Sequence, residues 1–429
     1  MNKRIHSGDF LVCASILTSG NNYGKLALWA KMLGLKLPSA DQFHGIQATY
    51  MIPTIDYYWK DHQKSVIDSF SGKPVVVMGD GRNDSPGHCA QYCSYTIMEQ
   101  TSKKILTLIT LDKRTTDRKS VNMEKVGFAK AMEEMKAKNI EVEEVVTDAH
   151  LGIGAIMKTS YPDIKHSHDI WHAAKSLGKR LLKVAQKKSN AVLGKWTKDI
   201  VNHFWFACKE ASTYEQFVSI WRSVLHHITN QHSWILPHGD GETTCRHGLL
   251  SDEDRNKPWL DPRKDCAVLK ELASVVMDKR FLGKVHYYLN FRSTADLEGF
   301  HQLILMYAAK RFAYTPAVYR IRNELAALDH NNNADIPNIV NKDGTLRLQR
   351  TWNKKSSRWT AHPKKSEKNY TYVKDILRKA LVMRIKDSVG MRKKRELEAD
   401  DPRRIAAHLA PVEPLPTKVL MEEKVSRFK

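Results

Sequence analysis

The 429-residue chain carries 69 Lys and Arg against 47 Asp and Glu, a formal net charge of +22, and 42% hydrophobic residues, so it can bury one large core plus an insertion and is not wholly disordered. The basic excess favours a polyanionic partner, nucleic acid before a membrane surface, through phosphate neutralisation and counterion release. No apolar run approaches the ~18 residues of a spanning helix, Met1 opens no signal peptide, and six cysteines are too sparse for a disulfide framework, so the chain reads as intracellular.

Residues 1–70 read as a helical N-terminal region. Apolar residues at helical spacing run over 23–33, Gly34 stops that helix, and Ser39 is placed to cap the next. Two short helices across a glycine-containing turn fit a helix-turn-helix, and equally an accessory bundle packed on the core. Pro53 opens a third helical run, and no zinc-finger spacing precedes the core.

Residues 71–188 read as the first part of an α/β core. PVVVMGDGR is an apolar strand whose last inward-facing position is Asp80; a polar turn, RNDSPG, leads to two more strand-like runs, AQYCSYTIME and KKILTLITLD. A helical pattern over 121–138 precedes EVEEVVTDAH, a strand that delivers Asp148 at its end. After a short helix from Leu151, the strand-like IKHSHDIWH passes into a basic helix, AAKSLGKRLLKVAQKK, which offers Lys175, Lys179 and Arg180 to a DNA backbone. Hairpins followed by right-handed crossovers would set the first and fourth strands side by side in a mixed sheet, with Asp80 facing Asp148. Two carboxylates on neighbouring strands suit Mg²⁺, and a third acid would allow two ions ~4 Å apart to clamp a phosphodiester. Singly, Asp80 reads equally as a hairpin residue and Asp148 as a strand-end or capping residue. His88, Cys89 and Cys93 form a soft-ligand cluster, but Cys89 and Cys93 flank a strand-like AQY and read as packing, not as a zinc site.

Residues 189–290 read as a helical insertion whose Trp196, Phe204, Trp205, Phe206, Phe217 and Trp221 are core positions. HHITNQHSWILPHGDGETTCRHGLL then concentrates His226, His227, His232, His238, Cys245 and His247; a structural Zn²⁺ on Cys245, His247 and upstream histidines is one reading, a polar connecting loop the other. In residues 291–335 the chain returns to the core. Asp296, Glu298 and His301 share one helix; Asp296 sits where the helix dipole favours any acid, so Glu298 is the better third acid and Asp296 the runner-up. Arg320 and Arg322 follow as phosphate-contact candidates, or as a solvated face. Residues 336–429 are charge-rich and read as a basic, partly disordered tail suited to DNA or nuclear import.

Taken together, GDGRNDSPG, VVTDAH, HDIWH and STADLEGFHQLILMYAAKR resemble the eukaryotic cut-and-paste DDE/D transposases of the hAT and Kolobok-like group, over roughly residues 74–333. The resemblance implies a ribonuclease H-like fold: a mixed five-stranded sheet flanked by helices and interrupted by an all-α insertion. It implies Mg²⁺ or Mn²⁺, two ions, on Asp80, Asp148 and Glu298, with Asp169 and His172 shaping the site. It also implies double-stranded DNA, transposon ends and target, as partner, a homo-oligomer, and a nuclear location. Cys245 and His247 have one residue between them where the family's signature usually has two. Two other readings stand beside it: a domesticated, catalytically inactive DNA-binding protein, and a metal-dependent nuclease without strand transfer.

Overall fold

Five strands hydrogen-bond in the order β3-β2-β1-β4-β5: β1 (Val75–Asn83), β2 (Tyr92–Glu99), β3 (Ile105–Asp112), β4 (Val142–Thr147) and β5 (Lys165–His168). β2 and β3 are antiparallel, whereas β1, β4 and β5 run parallel, which is the mixed ribonuclease H-like sheet expected from the sequence. The computed structural model describes residues 6–86, 89–235, 243–310, 312–354, 357–391 and 415–423, so His88 and His238 lie outside the described residues. Two compact units divide the chain, one of Met1–Pro74, Asp80–Glu141 and Leu297–Lys429, the other of Val75–Gly79 and Val142–Asp296.

The first unit opens with helices α1 (Ser7–Thr18), α2 (Tyr23–Met32), α3 (Ala40–Ile46) and α4 (Ile52–Asp68). Ser39 caps α3 through the Gln42 N–H, as expected, whereas Pro53 does not open a separate helix: a π-helical turn, Gln47–Met51, runs on from α3 into α4. Every residue of β2 is buried, a pattern that requires cover on both faces. Cover comes from α5 (Met123–Ala137), whose Gly127 lies where a Cβ would meet the Tyr95 Cβ at 2.7 Å, and from α15 (Pro316–Asn333), whose Tyr319 stacks on Tyr92. Cys93 lies in this core with its thiol pushed up by burial, in line with the packing role expected of it, and Cys89 is exposed.

Within residues 336–429, β6 (Leu348–Asn353) and β7 (Arg358–Pro363) pair as a hairpin and α16 (Thr371–Lys386) is helical. Tyr372, Ile376 and Ala380 of α16 are buried at i, i+4, i+8 spacing, a core-facing stripe that the surrounding Lys and Arg conceal in the sequence.

The second unit holds β4, β5 and the helices α6 (Leu151–Ser160), α7 (Ile170–Ala185), α8 (Val192–Glu210), α9 (Tyr214–Arg222), α10 (Val224–His227), α11 (Asp252–Arg255), α12 (Cys266–Val276) and α13 (Lys279–Leu282). The strand-like run 164–172 is a strand only to His168, because Asp169 caps α7 through the His172 N–H and starts the helix early. Trp196, Phe204, Phe217 and Trp221 are buried in one aromatic core, with the indole N–H groups of Trp196 and Trp221 donating to Pro258 O and Val276 O. Trp205 and Phe206 pack half-buried against it. No helix among the described residues is long and apolar enough to cross a membrane.

His168 ends β5 stacked on Tyr287 at 4.1 Å between ring centroids, and burial, then neighbouring positive charge, pulls its pKa down to about 3. The folded imidazole therefore stays neutral while the unfolded one takes a proton below about pH 6.5, so stability is lost as pH falls through that window, about 2 kcal/mol by pH 5. Urea unfolding of His168→Phe should show a pH 7 to pH 5 stability gap smaller by about that amount; an unchanged gap would place the acid sensitivity elsewhere.

Candidate functional site

The parallel register of β1 on β4 places Val77 opposite Val145 and Met78 opposite Val146. Asp80 and Asp148 are each two residues beyond that last pair. Just past β4, the Asp148 carboxylate lies 3.1 Å from His172 Nδ1 and is one-third exposed. Asp169 is buried. Its Oδ2 accepts the His172 backbone N–H at 3.1 Å and lies 2.7 Å from His172 Nδ1, while its Oδ1 accepts the Thr294 N–H at 3.2 Å. The shorter contact assigns the single Nδ1 proton to Asp169, which fixes the ring with its edge toward Asp148. Donor atoms of Asp148, Asp169 and His172 lie within 4.8 Å of one another, a group that could hold a metal ion. Asp169 already accepts two backbone N–H groups and the imidazole, so its part is to hold His172, while the Asp148 side chain is one-third exposed. This donor set is mainly oxygen, which suits Mg²⁺ or Mn²⁺ chemistry.

Behind these residues a buried clamp joins β4 and β5 to the chain returning from the helical insertion. Glu144 on β4 accepts two guanidinium N–H groups of Arg292 at 3.1 and 2.7 Å, the Ser167 hydroxyl at 2.5 Å and the Asn290 amide at 2.8 Å. Burial pushes the Glu144 carboxyl up, but hydrogen bonds from Arg292, Ser167 and Asn290 outweigh it and hold the group below the usual carboxylate range. Ile170 N–H donates to Arg292 O at 3.1 Å, so the strap 290–294 also sets the first turn of α7. The sequence concealed this clamp: Glu144 is one of three glutamates in EVEEVVT, and its partner Arg292 lies more than a hundred residues away.

Asp80 belongs to the other unit. Its Oδ1 accepts the Gly81 N–H at 2.7 Å, and its Oδ2 lies 3.5 Å from His301 Nδ1 on α14 (Ala295–Tyr307). Burial, then the charges of Arg82 and Lys310, pull the His301 pKa down to about 3, so a neutral imidazole meets the carboxylate. Leu297, Phe300 and Ile304 are buried, as the pattern of α14 leads one to expect. Glu298 and Asp296 are both exposed, with Glu298 one turn N-terminal to His301. The α14 side chain in contact with Asp80 is thus His301, which sits one position after buried Phe300 and was legible only as a neighbour of the two acids.

Among the candidate DNA contacts, Lys175 and Lys179 are exposed on α7, with the Lys175 ammonium 4.3 Å over the Trp171 ring. Arg180 reaches Asp278 at 3.5 Å, and exposed Arg320 lies near Asp56 and Glu324. Arg322 departs from its expected surface role. It is 4% exposed, and its guanidinium donates to the carbonyls of Gly20, Asn21 and Tyr307, because α15 is buried on nearly all sides.

No protein-family model matches this chain, and a search of curated proteins finds no match. Among solved structures, it is similar to a Drosophila P element transposase strand transfer complex at 11% identity and a TM-score of 0.34, covering 76% of this chain and 93% of that one.

Arg292→Ala should destabilise the protein by about 3 kcal/mol in urea unfolding, because it leaves Glu144 buried without its cation. The double variant Glu144→Gln, Arg292→Met should recover most of that loss. A carboxylate held below its ordinary value contributes stability above about pH 4.5 that is lost as pH falls through the folded value, and Arg292→Ala should remove that dependence.

Proposed function

We propose that the chain is a DNA-processing enzyme of the DDE transposase type, cutting and joining phosphodiesters in double-stranded DNA with divalent metal ions, in the nucleus. The observation that supports the reading is the register of β1 on β4, whose last pair, Met78 and Val146, precedes Asp80 and Asp148 by two residues each in the sequence. When bound, two Mg²⁺ ions supply activation of a water or a DNA 3′-hydroxyl and stabilisation of the leaving oxygen. The chain's own part is to place the acids. Gly81 N–H donates to one Asp80 oxygen, and the other lies 3.5 Å from the neutral His301 imidazole. Asp169 holds His172 beside Asp148, by hydrogen bonds to both ring and backbone. Glu298, exposed one turn before His301, is the third acid in this reading, with Asp296 its alternative.

The DNA itself would be held by the +22 charge rather than by the acids. Lys175 and Lys179 on the exposed side of α7 are the backbone contacts in this reading. One observation favours a second reading, a DNA-binding protein without the chemistry: the His301 imidazole meets Asp80 from α14.

The test is Mg²⁺-dependent nicking and strand joining on duplex DNA. Asp80→Asn and Asp148→Asn should abolish product while DNA affinity stays within about twofold, and His172→Ala should cost about 10- to 100-fold in rate. Glu298→Gln beside Asp296→Asn assigns the third acid: loss in the first alone supports Glu298, loss in the second alone moves the role to Asp296. DNA affinity should fall with salt at a log-log slope of about −0.9 per phosphate neutralised. Salt-sensitive DNA binding with no nicking or joining by the unmodified chain would select the second reading.

A further inference from the structure

The helical insertion contains a second constellation whose donors are nitrogen and sulfur. His227 ends α10, and residues 232–234 lie antiparallel to 243–245 through the Ser233–Thr244 bridge, with Trp234 N–H donating to Thr243 O and Cys245 N–H to His232 O. That clip holds His232 beside Cys245 and brings His247 in two residues later. Donor atoms of His227, His232, Cys245 and His247 all lie within 4.8 Å of one another. His232 Nδ1 is 3.1 Å from His247 Nε2, and Cys245 Sγ is 3.5 Å from His227 Nδ1. A tetrahedral Zn²⁺ with ordinary Zn–N and Zn–S bonds needs donor-to-donor edges of about 3.3 to 3.6 Å. The three imidazoles lie 5.0 to 5.1 Å apart between centroids with planes 76° to 89° from one another, as rings directed at a common centre require.

The tautomers sharpen the point. His232 Nε2 is 3.0 Å from Asn230 Oδ1, so it carries the proton there and leaves a lone pair on Nδ1. His247 Nδ1 is 2.7 Å from Gly248 O, so it donates to that carbonyl and leaves a lone pair on Nε2. The two nitrogens at 3.1 Å therefore present lone pairs to each other, which repels unless a cation sits between them. Outward N–H groups fixed by oxygen acceptors are also the usual support of metal-bound histidine.

We propose that His227, His232, Cys245 and His247 form a closed four-coordinate site for Zn²⁺, which staples the end of α10 to the segment 243–247. Four protein ligands leave no open position, so the role is structural and not hydrolytic. An N₃S donor set excludes Mg²⁺ as the natural occupant, which separates this site from the proposed catalytic one.

The test uses the full chain, purified without chelators or a histidine tag. Elemental analysis should find one zinc per chain, retained in Asp80→Asn and Asp148→Asn and in His226→Ala, whose ring stacks on Trp234. Cys245→Ser and His232→Asn should lose most of the zinc, and stripping the wild-type chain should lower its Tm. Should either variant fail to fold, Co²⁺ added to the stripped wild-type chain decides: tetrahedral ligand-field bands with a thiolate-to-cobalt absorption support the site. Substoichiometric zinc together with an octahedral Co²⁺ spectrum would overturn the proposal, as would zinc content unchanged in both folded ligand variants.

Discussion

A single buried carboxylate, Glu144, ties the second unit together. It is the point at which β4, β5 and the chain returning from the helical insertion are joined, through Ser167, Asn290 and Arg292. A buried charge is costly unless it is paired and its remaining lone pairs are filled, and here four donor hydrogens fill them. The consequence is positional. With Arg292 fixed, its carbonyl accepts the Ile170 N–H, Thr294 N–H reaches Asp169, and Asp169 in turn orients His172 against Asp148. Residues separated by more than a hundred positions are thereby held to hydrogen-bond tolerance.

Charge is segregated by purpose. Acidic side chains with a placed geometry stand within or just past strands: Asp80 within β1, Asp148 after β4, Asp169 at the start of α7. The histidines near them, His168 and His301, are kept neutral by burial, so they support the acids without adding positive charge. The basic excess lies elsewhere, on exposed helix faces such as Lys175 and Lys179. An arrangement of this kind lets affinity for a polyanion and chemistry on it be altered separately.

Much of the sheet was legible because its strands are short runs of β-branched and aromatic residues between strong turn signals; β1, however, runs on past Asp80 through Gly81 and Arg82 to Asn83, residues that read as a turn. The contact of Asp169 with His172 follows from their i, i+3 spacing at the start of α7. Tertiary information was not legible. Nothing local distinguishes Arg322, buried against three carbonyls, from Arg320, exposed two residues earlier. Likewise, the stripe Tyr372, Ile376, Ala380 is diluted by basic neighbours, and helical phase alone did not show that His301 lies against Asp80.

The claim on which the functional account rests is that Asp80 and Asp148 serve one divalent-metal centre. Crystals of the chain soaked in Mn²⁺ and measured at the manganese edge test it directly. The account predicts anomalous peaks bonded to carboxylate oxygens of both Asp80 and Asp148. Peaks confined to Asp148, Asp169 and His172, or none at either aspartate, would contradict it.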